Sequence, residues 1–183
     1  RWDRSLDDIF EVQDEVSQEV AALILPALKG KEHERIKTKS PASFSAWDNY
    51  LQALAIFNQD VEFDLDNEAY KNITQLCDAA IAMDTQFCDA YVLKARSIYN
   101  RMFASEYQDE RKSNEQKFHE LASRAYAIDP NNPDSVSAYS RSFNLKKDFS
   151  QRLKYAKAAL ELNPSRAFSN NDYGLALCNI KRF

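Results

Sequence analysis

The residue types that most often carry out chemistry are scarce in this chain and are spaced too far apart to act together. His33 and His119 are the two histidines, and neither has a second histidine or a cysteine at metal-ligand spacing. The three cysteines, Cys77, Cys88 and Cys178, form no CxxC pair, and no serine or cysteine lies in a nucleophile-elbow pattern. We therefore expect no catalytic site, no metal and no cofactor in this chain.

Phosphate, nucleic-acid and membrane binding are also disfavoured. Gly30 and Gly174 are the two glycines, too few for a glycine-rich loop that cradles a phosphate. The net charge of −4 comes without the clustered basic face that binding to DNA or RNA usually requires. The longest apolar run, Val20 to Leu28, is about half the length of a bilayer crossing, and Pro26 interrupts it. The composition thus argues against a nucleic-acid partner and against a membrane span.

Cysteine usage bears on the compartment. Three cysteines without a pairing pattern are typical of a reducing environment, so we expect a cytoplasmic location, with the periplasm as the alternative if the parent protein carries an upstream membrane span. Cys77 and Cys88 flank one predicted turn, and the sequence leaves open whether they form a disulfide. The chain begins at Arg1 without a methionine or a signal-like segment, so we expect it to be part of a longer protein.

The chain repeats itself with a period of about 34 residues. The segment AALELNP, which ends at Pro164, lies 34 residues after RAYAIDP, which ends at Pro130. A third copy, AAIAMDT, ends at Thr85 and lies 45 residues before the middle one, which is one period plus an 11-residue insertion. Self-similarity at this period predicts stacked helix pairs, in which no single pair buries its own apolar face.

The pattern predicts an N-terminal helical piece over residues 5–37, interrupted by Pro26, and a linker over 38–45. Helix pairs follow from residue 46. The first helices are predicted to begin near Ala46, Cys88, Pro133 and Ala167. The second helices are predicted at about 66–83, 114–128 and 149–162. The insertion 104–114 falls between the helices of one pair. We expect an extended helix end or a solvated loop there, with a partner-specific contact as the alternative.

Small residues recur in phase at Ala95, Ser140 and Gly174, where the two helices of a pair should approach closely. Apolar residues follow three positions later and are expected to pack between the pairs: Ile98, Phe143 and Leu177.

These features together resemble the tetratricopeptide repeat, with its small residue in the first helix, alanine in the second and Asp/Asn-Pro at the close. The resemblance covers about 46–87, 88–132 and 133–166, and a half-repeat over 167–183. It implies an all-α superhelix of stacked helix pairs, preceded here by an N-terminal helical segment. The chain departs from the family where an alanine is usual early in the second helix and has Ile73, Phe118 and Arg152 instead. We therefore expect wider spacing between the helices.

The first part of the chain has a further resemblance. WDRSLDDIFEVQDEVSQEVAALILPAL, a charged segment and then SFSAWDNYLQALAIFN are similar to a junction in bacterial signalling proteins, where a TolB-like region is followed by tetratricopeptide repeats. Residues 1–45 would be the end of that region and 46–183 the repeats. The parent proteins typically carry a class III adenylate or guanylate cyclase-like domain, or an amino-terminal winged-helix regulator domain. The resemblance implies a module that serves such an output domain.

The resemblance also implies which positions line the concave surface formed by the first helices. Carried over residue by residue, they are Asp89, Val92, Arg96, Tyr99 and Asn100, then Asp134, Ser137, Arg141, Asn144 and Leu145, then Phe168, Asn171, Leu175, Cys178 and Asn179. Arg96 and Arg141 are at equivalent positions, and arginine suits bidentate recognition of a carboxylate or phosphate. They predict an acidic peptide, or the parent protein's own output domain, as the partner. The alternative is that both pair with Asp89, Asp134 or neighbouring acids.

Two functions remain in competition. The first is a non-catalytic interaction module that binds a peptide or a neighbouring domain in the groove. The second is a structural spacer or self-association element, because Tyr173, Leu177 and Ile180 of the last half-repeat would have no covering helix and would pair with another copy in a homodimer.

Overall fold

The computed structural model of the chain describes residues 44–59, 67–102 and 105–181. These residues form seven α-helices and one 3₁₀ helix, with no strand among them, so the predicted all-α class is confirmed. The predicted N-terminal helical segment lies outside the described residues. The described helices all belong to one compact unit of the chain.

The helices follow one another as pairs. Their bounds in chain order are α1 (Phe44–Gln59) and α2 (Asn67–Met83), α3 (Cys88–Arg101) and α4 (Arg111–Ile128), α5 (Pro133–Leu145) and α6 (Phe149–Leu162), and α7 (Ala167–Lys181). The 3₁₀ helix η1 (Ser105–Glu110) precedes α4. The first helices begin within two residues of the predicted positions, and the second helices begin within three.

A side-chain cap marks the start of α5. The carboxamide oxygen of Asn132 accepts the backbone N–H of Asp134 at 2.9 Å and that of Ser135 at 3.4 Å, and Pro133 occupies the first turn of α5. An asparagine cap followed by proline satisfies free N–H groups and presets the helical φ. The Asn132 Nδ2 also donates to Asp89 at 2.7 Å, which joins the start of α5 to the start of α3.

The packing order is regular along the described chain. Each helix packs against the next one, and the first helices of neighbouring pairs also touch, α1 with α3, α3 with α5 and α5 with α7. The small residues expected at the close approaches are fully buried at Ala95 and Ser140, and the Ser140 hydroxyl donates to the backbone oxygen of Arg152 at 2.7 Å. Gly174 differs: it is exposed, and a Cβ added there would meet nothing within 4 Å.

The three departures from the family alanine are all buried. Ile73 and Phe118 belong to the apolar clusters of the first two pairs. Arg152, at the same position of the third pair, places a guanidinium in the interior. A buried charge is costly unless it is paired, so this position demands a partner.

Residues 105–114 of the insertion form an extended helix end rather than a solvated loop. Residues 105–110 form η1, and 111–114 are the first turn of α4. Arg101 at the end of α3 joins the insertion to the first pair, because its Nε contacts Glu110 at 3.3 Å and its Nη1 donates to Asn67 at 2.8 Å.

The cysteines are all free thiols, which settles the open question about Cys77 and Cys88. Both are buried, and burial raises the pKa of the Cys77 thiol to about 12. Cys178 on α7 is exposed.

Candidate binding groove

Arg96 on α3 and Arg141 on α5 lie close together at the surface where these two first helices meet. Both line one small, partly open depression of about 10 Å³, which is room for about one water molecule, and its remaining lining residues are Tyr99, Phe118, Asp134 and Ala138. We call this depression the arginine groove. Phe118 reaches it from α4, so the floor is formed by the apolar core of the second pair.

Arg96 lies over an aromatic ring of the preceding pair. Its Cζ is 4.7 Å from the centroid of Phe57 on α1, a distance suited to a cation–π contact. Burial lowers the pKa of Arg96; the charge of Asp134 opposes this shift, and the charges of Arg141 and Arg166 add to it. The guanidinium nevertheless stays protonated, as arginine does in proteins, and it carries its charge in a partly desolvated place.

Arg141 repeats this arrangement one pair later and adds an ion pair. Its Cζ is 5.1 Å from the centroid of Tyr99, and its Nε donates to Asp172 Oδ1 at 3.0 Å. Asp172 lies on α7 and is 1% exposed. Arg141 is therefore held on one side by a ring of α3 and on the other by a carboxylate of α7.

A second guanidinium binds the same carboxylate oxygen. Arg152 Nη2 on α6 is 3.3 Å from Asp172 Oδ1, and the Arg152 side chain is 3% exposed. Asp172 Oδ2 and the Nε and Nη1 of Arg152 are buried without a hydrogen-bond partner among the described residues. We call Arg141, Arg152 and Asp172 the charged cluster; it carries two positive charges and one negative charge.

Two acids that the repeat pattern assigned to the concave surface are also held by neighbours. Asp134 Oδ2 is 2.7 Å from Arg166 Nη2, and Asp89 accepts the bond from Asn132. Burial raises the pKa of Tyr50 on α1, and the charges of Asp89 and Asp134 raise it further. The Tyr50 hydroxyl therefore remains a protonated, neutral group beside these acids.

The structure brings some of the predicted groove residues to the accessible surface and buries others. Asp89, Arg96, Tyr99, Asn100, Asp134, Arg141, Asn144, Leu145 and Asn179 are half-buried, and Asn171, Leu175 and Cys178 are exposed. Val92 and Ser137 are buried, and neither lines the arginine groove. Val92 packs in the core with Cys88 and Ala125. The side chain of Phe168 lies outside the described ones.

Arg141 pairs with an acid, in agreement with the alternative prediction that both arginines do so. Its partner is Asp172, a neighbouring acid on α7 that the groove pattern did not include. Sequence reasoning also missed Arg152, Arg166 and the ring of Phe57. One signal was present: a charged residue at a position that the repeat buries requires a counter-charge nearby.

No family model and no curated protein matches this chain. In the part of the chain that the structure describes, no three His, Cys or acidic side chains come together as a metal-binding group. No helix over the same residues is long and apolar enough to cross a membrane. The observations that bear on function are therefore the shape and the charges of the groove.

Proposed function

We propose that the helix pairs form a tetratricopeptide-like superhelix in a bacterial signalling protein, with a TolB-like region before it. Two features support the superhelix. In every substantial contact among the described residues, a helix packs against its neighbour in the chain or one first helix packs against the next, and the motif recurs at about 34 residues. A cytoplasmic location is part of this proposal.

We further propose that the chain is a non-catalytic module that binds an acidic peptide segment, or an acidic face of a neighbouring domain, in the arginine groove. The observation that carries this proposal is that Arg96 and Arg141 line the same depression, each over an aromatic ring. A ring below a planar guanidinium favours one orientation of it, and guanidinium groups bind carboxylates in a bidentate manner. Charge-assisted bonds of this kind are about twice as strong as neutral ones.

The test compares two charge-matched double variants. Arg96→Ala with Arg141→Ala is expected to weaken binding of a fluorescein-labelled oligoglutamate peptide at least about tenfold, measured by fluorescence anisotropy. Arg111→Ala with Arg124→Ala removes two exposed arginines of α4 and changes the net charge by the same amount. This control should bind almost as the wild type does.

Equal weakening by both double variants would mean that only net charge attracts the peptide, and the groove would lose its proposed role. Circular dichroism of each variant shows whether the helices are retained.

A structural spacer or self-association element is the second candidate, and one observation favours it. Leu175, Leu177 and Ile180 on α7 are large, exposed apolar side chains. Sedimentation at several protein concentrations separates the two functions. A monomer that binds oligoglutamate supports the first, and a tight dimer without ligand that is broken by Leu177→Glu with Ile180→Glu supports the second.

A further inference from the structure

Four aromatic side chains gather where the second and third helix pairs meet. Tyr126 on α4 lies nearly parallel to Tyr139 on α5, with ring centroids 4.6 Å apart. Phe143 on α5 lies nearly parallel to Tyr155 on α6, with centroids 5.4 Å apart. All four side chains are half-buried, so part of each remains at the surface. We call these four residues the aromatic strip; none of them lines the arginine groove.

The packing of the helix pairs does not itself require aromatic residues at these positions. Between the first and second pairs, equivalent helices pack in the same order. The equivalent positions there hold three aliphatic residues and a lysine: Ile81, Lys94, Ile98 and Leu121. The rings are therefore a local addition to the repeat, and tyrosine is the kind of rigid, amphipathic side chain that concentrates at binding surfaces.

The phenol groups of the strip have hydrogen-bonding capacity that the protein does not use. Within the described ranges, the hydroxyls of Tyr126, Tyr139 and Tyr155 make no hydrogen bond to another residue. Burial raises the pKa of Tyr139, and the neighbouring Tyr155 and Tyr126 raise it further. Tyr139 thus stays protonated at neutral pH, and the three phenols present O–H donors to an acceptor from outside the chain.

The border of the strip is basic. Lys154 on α6 is exposed, its Nζ lies 5.4 Å from the centroid of the Tyr155 ring, and no described acid pairs with it. Residues 146–157 hold four exposed lysines and one acidic residue, Asp148. This local excess of positive charge, in a chain with a net charge of −4, complements an acidic partner.

We propose that the aromatic strip binds a proline-rich segment of a partner protein that also carries acidic residues. Such a segment adopts the polyproline II conformation, whose carbonyl groups form no internal hydrogen bonds and can accept from the phenols. Its proline rings can lie on the aromatic faces, and its acidic side chains can pair with Lys154. Because the segment is already extended, little conformational entropy is lost on binding.

The test measures binding of a fluorescein-labelled peptide of repeated Glu-Pro-Pro units by fluorescence anisotropy. All measurements are made in the double variant Arg96→Ala with Arg141→Ala, so that the arginine groove does not contribute. The peptide should bind in this background, whatever the result for oligoglutamate in the wild type. No binding in this background overturns the proposal.

Two further peptides separate proline recognition from charge. Repeated Glu-Ser-Ser units keep the charge without proline, and repeated Lys-Pro-Pro units keep proline with the opposite charge. Each should bind at least about tenfold more weakly than the Glu-Pro-Pro peptide. Equal affinity for either one overturns the proposal, because the strip would then not select an acidic proline-rich segment.

Tyr126→Ile with Tyr155→Leu, added to the same background, gives the strip the residues found at equivalent positions, Ile81 and Leu121, so the fold should be retained. The affinity for the Glu-Pro-Pro peptide should fall at least about tenfold. The matched control, Tyr91→Leu with Tyr173→Leu, replaces two half-buried tyrosines outside the strip and should bind almost unchanged. Equal affinities of the two variants overturn the proposal.

A phenylalanine variant keeps the proposal testable if the first variant does not fold. Tyr126→Phe, Tyr139→Phe and Tyr155→Phe together keep every ring and remove hydroxyls that the fold does not use. The affinity should fall about threefold to tenfold through the lost hydrogen bonds to peptide carbonyls. Unchanged affinity overturns the proposed recognition of an extended backbone.

Discussion

Two joins between neighbouring helix pairs can be compared. The first lies between the second and third pairs, and the second lies between the third pair and α7. One equivalent buried position holds an apolar residue at the first join and a charged residue at the second. In the first, Ala138 is buried in an apolar cluster with Phe118 and Met102. In the second, Asp172 stands 34 residues later, at the same position of the repeat, and is buried against two arginines. The repeat therefore determines which positions are buried, but it leaves open whether an apolar group or an ion pair fills them.

Aromatic packing strengthens the contrast. At the first join, Tyr126 on α4 stacks on Tyr139 on α5 with ring centroids 4.6 Å apart, and Tyr155 on α6 contacts both rings. The packed rings at this join gain stability from area removed from water. The charged cluster of the second join must instead offset the desolvation of its buried ions, Arg152 and Asp172.

The largest effect is expected from Asp172→Ala, which removes the carboxylate that pairs with the buried guanidinium of Arg152. The free energy of unfolding, measured by urea titration, should fall by about 3–5 kcal/mol. Asp134→Ala breaks an ion pair that is partly exposed to solvent, so its cost should stay below about 1 kcal/mol. Similar costs for the two variants would remove the distinction between the buried cluster and the groove acids.

At the first join, Tyr139→Ala removes a ring that contacts Tyr126, Tyr155 and Phe143. We expect a loss of about 2–4 kcal/mol in the free energy of unfolding, from lost burial and lost ring contacts. Tyr139→Phe keeps the ring and should change stability by less than about 1 kcal/mol. A large loss in Tyr139→Phe would show that the hydroxyl, rather than the stack, holds this join.

A smaller loss of stability is expected when the aromatic rings under Arg96 and Arg141 are replaced. Phe57→Leu and Tyr99→Leu each replace an aromatic face by an aliphatic side chain of similar apolar character. Each should cost about 0.5–1 kcal/mol through the lost cation–π contact. Thermal or urea unfolding of the variants, alone and with Arg96→Met or Arg141→Met, gives the coupling between ring and guanidinium in a double-mutant cycle. Zero coupling would mean that the stacking adds nothing.

The smallest expected effect is a pH dependence at the first join. Burial lowers the pKa of His119, and the charge of Lys146, whose Nζ is 2.9 Å from His119 Nε2, lowers it further. The unfolded chain, with an ordinary histidine pKa of about 6.5, then binds a proton more readily than the folded chain. The contribution of His119 is thus present above about pH 6.5 and is lost as the pH falls through the lower folded pKa.

Urea titrations at several pH values, for the wild type and His119→Gln, isolate this contribution. The wild type should lose more stability than His119→Gln as the pH is lowered from neutral towards pH 5, and parallel curves would contradict the assignment.

Much of the fold was predictable because its signals are local. The starts of α5 and α6 follow from the caps Asn132 and Asp148, and the buried small residues Ala95 and Ser140 follow from the period. The site was less predictable. The pattern placed Arg96 and Arg141 on one surface, but it could not choose Asp172 among the many acids of the chain, because that choice depends on how α7 packs against α5.

Val92 and Ser137 show the other limit. A face assigned from the repeat alone includes positions at its edge, and the closeness of neighbouring helices decides whether these are covered. Arg152 was the informative exception, since a charge at a position that the fold buries demands a counter-charge, and the sequence alone did not show which residue would supply it.

The distribution of thiols has a practical consequence. Cys77 and Cys88 are buried and Cys178 is exposed on α7, so a maleimide dye should react with the last helix selectively in the native protein. A dye attached there lies on the helix that carries Asp172, and its emission would report in real time whether that helix responds when the neighbouring surface is occupied.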